Sequence, residues 1–347
     1  RAHFSPLACP ILENRTTGTH FFVVCMTDSP ESDTLVAKRA MVDLTGGFGV
    51  DFSYLARGFS QATYVERQRH LCDLAEHNMA ALGLDQARIV CGDGVEYLRQ
   101  MGPVDFIYLD PARRDEHGSR TYAIEDCTPN VLELRDLLLA KSQYTLVKLS
   151  PMLDWRKAVA DFDGTVREVH IVATGNECKE LLLVLGQQVH EEPSAPRVFC
   201  VNDNQRIDYD SAAYTQGLRI GGKPLPEAKN YLYEPNASIM KAGCFDLVEE
   251  RFGVTQVGPS SHLFVSATPV ADFPGRGFAI ESIGGMNKKD IKRLLNGTKQ
   301  ANIAVRNFPL TAPQLRKKLK LADGGPVYLF GTTMQGCDHV LLRTSKI

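Results

Sequence analysis

From residue 41 onward the chain repeats one pattern: a short apolar run, a turn carrying an acid, then a stretch of helical periodicity. The strand-like runs are Met41–Leu44, Ala62–Val65, Arg88–Val90, Val104–Leu109 and Tyr144–Leu149, and the helical patterns are clearest at Arg69–Leu82 and Val131–Ala140. Further strands are expected at Val166–Val172 and Glu180–Leu185. Strand and helix alternating at this spacing predict an α/β sheet, mostly parallel, with helices on both faces. Ligands of such sheets bind beyond the carboxyl ends of the strands. The residues that end each run therefore carry the most information.

The first run opens into "VDLTGGFGVD", Val42–Asp51, where Gly46, Gly47 and Gly49 allow a tight turn and close backbone approach to a ligand. A pyrophosphate seated on the following helix would be repelled by the carboxylate of Asp43. S-adenosylmethionine has no phosphate and carries an ammonium and a sulfonium, so an acid at the first strand end suits it. Glu66, in "YVERQ", ends the second strand and is placed to accept two ribose hydroxyls. Asp93, in "VCGDGVEYL", follows the third and is placed to take an adenine amino group. Singly, each is equally readable as a helix N-cap or first-turn acid. With Asp110, four acids stand at four successive strand ends.

These stretches resemble the class I S-adenosylmethionine-dependent methyltransferases over about Met41 to Gly186. "DLTGGFG" stands in the place of their D-x-G-x-G-x-G loop, Glu66 in that of the ribose acid, and "GDG" at the adenine-side turn. The resemblance implies a Rossmann-like sheet and S-adenosylmethionine as cofactor. It implies a cofactor site of Asp43, Thr45, Gly46, Gly47, Phe48, Gly49, Asp51, Glu66, Arg67, Asp93, Gly94 and Asp110. The C-terminal third is similar to a narrower group, bacterial methyltransferases with a THUMP-like C-terminal domain. The matching stretches are "YLYEPNASIMKAG", "FPGRGF", "NKKDIKRLL" and "ANIAVRNFPLTAPQLRKKLKLADGGPVYLF". THUMP domains bind structured RNA, so tRNA or rRNA is the implied partner.

"DPAR", Asp110–Arg113, stands where amino-methylating members carry D/N-P-P-Y and tRNA guanine methyltransferases carry D-P-P-R. Asp110 is expected to orient an attacking amine, Pro111 to stiffen the turn, and Arg113 to bind a phosphate or a guanine edge. Arg113 and Arg114 read equally as surface partners of Asp115 and Glu116. Ala112 replaces the second proline and no aromatic residue follows, so stacking of a base would fall to Tyr122 or Trp155. Lys148 lies one residue from the end of the fifth strand; with Asp110 and Glu180 it resembles part of the Lys/Asp/Lys/Glu set of ribose 2′-O-methyltransferases. A plain salt bridge is the structural alternative for it. Ser150 and Pro151 read as the start of the next helix. Protein or small-molecule acceptors, a dinucleotide-dependent oxidoreductase, and an RNA-binding protein without catalysis are the competing classes.

The expected organisation is an unassigned segment 1–40, a methyltransferase domain 41–190, a linker and small α/β connecting region 191–274, and a basic THUMP-like domain 275–347. In the last part the pattern predicts strand 277–281, helix 288–295, strand 301–305, helix 312–319, and strands 327–331 and 339–343. Charge supports a separate role for this part. The chain has a net charge of −2, yet Arg276–Lys320 holds eleven Lys and Arg against Glu281 and Asp290. Such a block is an electrostatic footprint for a polyanion. Lys288, Lys289, Lys292, Arg293, Lys299, Arg306, Arg316, Lys317, Lys318 and Lys320 are the candidate RNA contacts. No apolar run approaches the ~20 residues of a membrane span. Nine scattered cysteines without a CxxC pair argue against a zinc site or a disulfide framework and for reduced thiols in the cytoplasm.

Overall fold

The computed structural model describes residues 39–112, 123–187, 195–213, 229–336 and 338–347. Arg113, Arg114 and Tyr122 lie outside the described residues. The chain divides into two compact units, Arg1–Phe199 with Asp208–Asp210, and Cys200–Ile207 with Ser211–Ile347.

The first unit follows the alternation: β1 (Ala40–Asp43), α1 (Val50–Leu55), β2 (Gln61–Glu66), α2 (Arg69–Ala81), β3 (Ala87–Cys91), α3 (Gly94–Gln100), β4 (Val104–Leu109), α4 (Val131–Lys141) and β5 (Ser142–Leu149). Then come α5 (Trp155–Asp161), β6 (Val166–Thr174) and β7 (Glu177–Gly186); β8 (Arg197–Asn202) and β9 (Gln205–Asp210) belong to the same sheet, and their residues are divided between the two units. Among the described residues the sheet runs β3-β2-β1-β4-β5-β7-β6-β8-β9. Pairs among β1 to β5 are parallel, whereas β7 runs antiparallel to both β5 and β6. This is the α/β sheet expected, with β7 reversed near the middle of the order. β4 shows why a continuous apolar run marks a strand covered on both faces: Phe106, Ile107, Tyr108 and Leu109 are all at most 4% exposed. Phe52, Tyr64 and Phe106 fill the core between sheet and helices, each worth about 1.5–3 kcal/mol of apolar burial.

One helix start differs from expectation. Ser150 does not cap α5; its hydroxyl accepts from Met152 N at 3.2 Å within a turn. The cap is Asp154, whose Oδ1 takes Arg156 N at 2.9 Å and Lys157 N at 3.4 Å. A carboxylate meets the positive helix end better than a hydroxyl does, and the later residue wins.

The second unit contains β10 (Tyr231–Pro235), α6 (Ala237–Ala242), α7 (Phe245–Phe252), β11 (Thr255–Gln256), β12 (Phe264–Ser266), β13 (Gly275–Gly284), α8 (Lys288–Leu295), β14 (Asn302–Arg306), α9 (Ala312–Leu319), β15 (Val327–Thr333) and β16 (His339–Lys346). Its sheet runs β11-β12-β10-β13-β16-β15-β14. Asn236 caps α6 through Ile239 N, and Gly243, at φ 67°, ends it. Leu294, Leu315 and Leu319 lay α8 and α9 on Leu329 and Leu341, leaving their lysines outward. Arg343 Nη1 donates to the last carbonyls of α8, Leu294 O at 2.9 Å and Leu295 O at 3.0 Å, where a cation suits the helix dipole. No helix among the described residues is long and apolar enough to cross a membrane.

Candidate methyl-transfer site

The glycine loop is held from both sides. Thr45 N donates to Asp43 Oδ1 at 2.9 Å, Gly46 N to Val65 O at 2.9 Å, and Gly47 N to Glu66 Oε2 at 3.0 Å. The Tyr64 hydroxyl donates to Gly47 O from below. A Cβ at Gly46 would collide with the Tyr64 ring, and one at Gly94 with the carbonyl of Leu44. Glycine is therefore required at both positions. Tyr64 was not among the expected site residues; only its place two before Glu66, on the same face of β2, could have pointed to it.

Every residue expected to hold the cofactor lines one cleft of about 490 Å³ at the carboxyl ends of β1, β2 and β4. That is within the range of small-molecule sites. Asp43 is 1% exposed, and burial pushes its carboxyl up to about 8, with Thr45 pulling it down and Asp51 and Asp110 adding to the rise. Glu66 is oriented at both oxygens, by Gly47 N and by Gln68 N at 2.8 Å. Asp93 lines the cleft and also caps α3, taking Val95 N at 2.9 Å and Glu96 N at 3.0 Å on Oδ1. The cap and the cleft wall are the same side chain.

At the other end Lys148 gathers three carboxylates. Its Nζ lies 2.9 Å from Asp51 Oδ2, 3.0 Å from Asp110 Oδ2 and 4.0 Å from Glu180 Oε1. Burial pulls the ammonium down, but Asp110, Asp51 and Glu180 together hold it above the ordinary lysine range. The Tyr108 hydroxyl donates to Asp51 Oδ2 at 2.5 Å, and Asp110 N donates to Thr45 Oγ1 at 2.7 Å. Asp51 Oδ1 is buried and has no hydrogen-bond partner among the described residues. Pro111 is buried behind the turn, while Ala112, Thr128 and Pro129 wall the cleft, with Ala112 N donating to Thr128 O at 2.8 Å. Trp155 is 4% exposed, so it cannot stack a base. Cys127 is also buried, its thiol directed to Ala123 O at 3.6 Å.

The basic residues divide into two sets. Lys288, Lys289, Lys292, Arg293, Lys299, Lys317, Lys318 and Lys320 are exposed. Arg306 is paired with Glu234 at 2.9 Å and Arg316 with Asp323 at 2.6 Å, and both are half-buried.

Three family matches divide the chain by sequence. Residues 3–115 match the protein-L-isoaspartate (D-aspartate) O-methyltransferase family, residues 231–274 a ferredoxin-like domain, and residues 275–346 a THUMP-like domain. Among curated proteins none matches. The crystal structure of a "putative methyltransferase" from Porphyromonas gingivalis W83 is 36% identical, with a TM-score of 0.79, over 89% of this chain and 77% of that one. A SAM-dependent methyltransferase from Agrobacterium tumefaciens is 18% identical over 44% of this chain and 57% of its own, with a TM-score of 0.33. The likeness to the Porphyromonas protein spans both units, and with the THUMP-like match it shows the family: the chain belongs to the class I S-adenosylmethionine-dependent methyltransferases that carry a C-terminal THUMP-like domain.

Proposed function

We propose that this protein methylates a base nitrogen in structured RNA, tRNA or rRNA, using S-adenosylmethionine. The observation that carries the reading is one cleft holding Asp43, Glu66, Asp93 and Asp110, with Lys148 fixing the last of them. S-adenosylmethionine, when bound, supplies an electrophilic methyl group on a sulfonium. With its carboxyl pushed to about 8, Asp43 is a weak acid at neutral pH, and a cation set against it favours the ionised form. Glu66 keeps lone pairs beyond those taken by Gly47 and Gln68, and these accept the ribose hydroxyls. Asp93 accepts the adenine amino group on its second oxygen.

Asp110 accepts a hydrogen bond from the attacking amine and aims its lone pair, so catalysis is mainly positioning. Lys148 holds that carboxylate in one direction. Pro111 stiffens the turn, and Arg113 binds a phosphate or a guanine edge. The exposed lysines of α8 and α9 grip the RNA backbone, a role favoured by the THUMP-like match. The test is methyl transfer from labelled donor to fractionated cellular RNA, followed by nucleoside analysis. Base-methylated nucleosides are the expected product, and label in protein alone would overturn the RNA acceptor.

A second reading, ribose 2′-O-methylation, is favoured by the contacts of Lys148 with Asp110 and Glu180. A lysine held above its ordinary range is a poor base at neutral pH and would act there only as a fixed cation. The same nucleoside analysis separates the two.

A further inference from the structure

Among the buried polar atoms of the second unit with no hydrogen-bond partner among the described residues are Arg306 Nε, His262 Nδ1 and the Thr332 hydroxyl. The fold brings them together from three segments. Arg306 and Thr332 are direct partners in the parallel pair β14–β15. By strand alternation they lie on the sheet face that packs Ala304, Phe330 and Leu342. His262 ends the turn Gly258–His262, which Asn307 Nδ2 ties to the end of β14 through Pro259 O at 2.7 Å. Its ring stacks on Phe245 at 4.3 Å. Burial first, and then the nearby charge of Arg306, hold this imidazole below its ordinary value.

Charge is also out of balance there. Glu234, 2% exposed, accepts from Arg276 Nε at 3.0 Å and from Arg306 Nη2 at 2.9 Å. Two guanidiniums share one carboxylate, which leaves a positive charge over. The arginine side chains are 44% and 39% exposed, so the cluster opens to solvent. An unmet buried polar atom is destabilising, and three of them beside a surplus cation call for a filling. A water meets the hydrogen bonds and leaves the charge. A tetrahedral anion meets both, since its oxygens accept in several directions from donors on three segments.

We propose that Arg276, Arg306, His262 and Thr332 form a phosphate-binding subsite in the second unit. The phosphate comes from nucleic acid or from a free phosphate. This deepens the RNA reading and rests on it only for the source.

Calorimetric titration of the full chain with inorganic phosphate, at constant ionic strength, is expected to show one saturable site that Arg306→Gln removes. That variant also strips Glu234 of a partner, so Thr332→Val tests the site without disturbing charge. Removing an unmet buried hydroxyl should leave the melting temperature unchanged or higher while phosphate affinity falls about tenfold. Unchanged phosphate affinity in Thr332→Val, or no saturable uptake by the wild type, overturns the subsite and leaves ordered water as its filling. An RNA oligonucleotide with a terminal phosphate and its dephosphorylated twin separate the sources. Competition between RNA and inorganic phosphate, lost in Thr332→Val, assigns the site to nucleic acid; saturable phosphate without competition assigns it to a free phosphate. If neither twin binds at low salt the RNA reading fails, and the subsite still stands on the inorganic titration.

Discussion

The cleft of the first unit and the basic helices of the second both concentrate charge, by opposite physics. Asp43 is buried, Glu66 is fixed at both oxygens by backbone N–H groups, and Asp110 is tied to a half-buried lysine. The carboxylates of Glu66 and Asp110 are costly to desolvate and are oriented before any ligand arrives. Lys288, Lys289, Lys317 and Lys318 stand in solvent on long flexible stems. They attract at long range, are screened by salt, and fix no geometry. Changes in the cleft should therefore cost a great deal and depend little on salt. Changes on α8 and α9 should show the reverse.

The largest effect is expected at Asp110. Asp110→Ala should lower turnover by about 10²- to 10⁴-fold, the usual worth of a positioned acid–base group. Donor affinity should stay within a few-fold, because the proposed partner of Asp110 is the acceptor. Single-turnover methyl transfer and donor calorimetry on the same variant check both halves; a variant keeping most of its activity would move the transfer site away from this turn.

Asp43 should set binding against stability. Its carboxyl is raised from 3.8 to about 8, so between those values the folded chain holds a proton that the unfolded chain has released. The stability it contributes is full below pH 3.8 and is lost as pH rises through about 8. Asp43→Asn keeps an acceptor for Thr45 and removes that loss. Relative to wild type it should gain melting temperature as pH rises from 4 to 8, by roughly 2–4 °C for each kcal/mol in a chain of this size. Donor affinity should fall tenfold or more, as a charged partner is lost. Melting curves across that pH range with no difference between the two proteins would mean that Asp43 is ionised in the fold.

A smaller loss is expected at Glu66. Glu66→Gln retains one acceptor for Gly47 or Gln68 and should weaken donor binding by about 1.5–3 kcal/mol. Calorimetry at low and high salt should give the same loss, in keeping with a buried contact.

Much of this molecule was legible because its elements announce themselves locally. β1 to β5 were readable to within a few residues from apolar runs ended by Gly, Pro or an acid, and α8 and α9 from their helical pattern. β11 and β12, two and three residues long, are too short to carry a period. The lysine end of the cleft was only half visible. Lys148 and Asp51 are 97 residues apart and meet because β5 ends and α1 begins on the same side of the sheet, which no local pattern encodes. Nor does a lone Tyr64 in a strand declare that it underlies a glycine loop. The start of α5 misled for a different reason: Ser150-Pro151 and Asp154 both carry cap chemistry, and the carboxylate is the one that prevails at the helix end.

The smallest effect, and the one that tests the other side of the comparison, concerns Lys288 and Lys289. Both sit in the first turn of α8, where they are exposed and run against the helix dipole. Lysines placed there cost the helix a little, which is easier to understand if they serve a ligand. If each neutralises one RNA phosphate, reversing both to Glu should flatten the slope of log affinity against log salt by about 0.7–0.9 per contact. All RNA sequences should weaken about equally, since backbone contacts position without specifying. Helix stability should rise slightly, because acids suit an N-terminal turn. Donor affinity should not move, since it is set by buried groups in the cleft. Filter binding over a salt series, for wild type and Lys288→Glu/Lys289→Glu, measures the slope directly. Parallel lines would make these lysines a solvated face and turn attention to a protein or small-molecule acceptor.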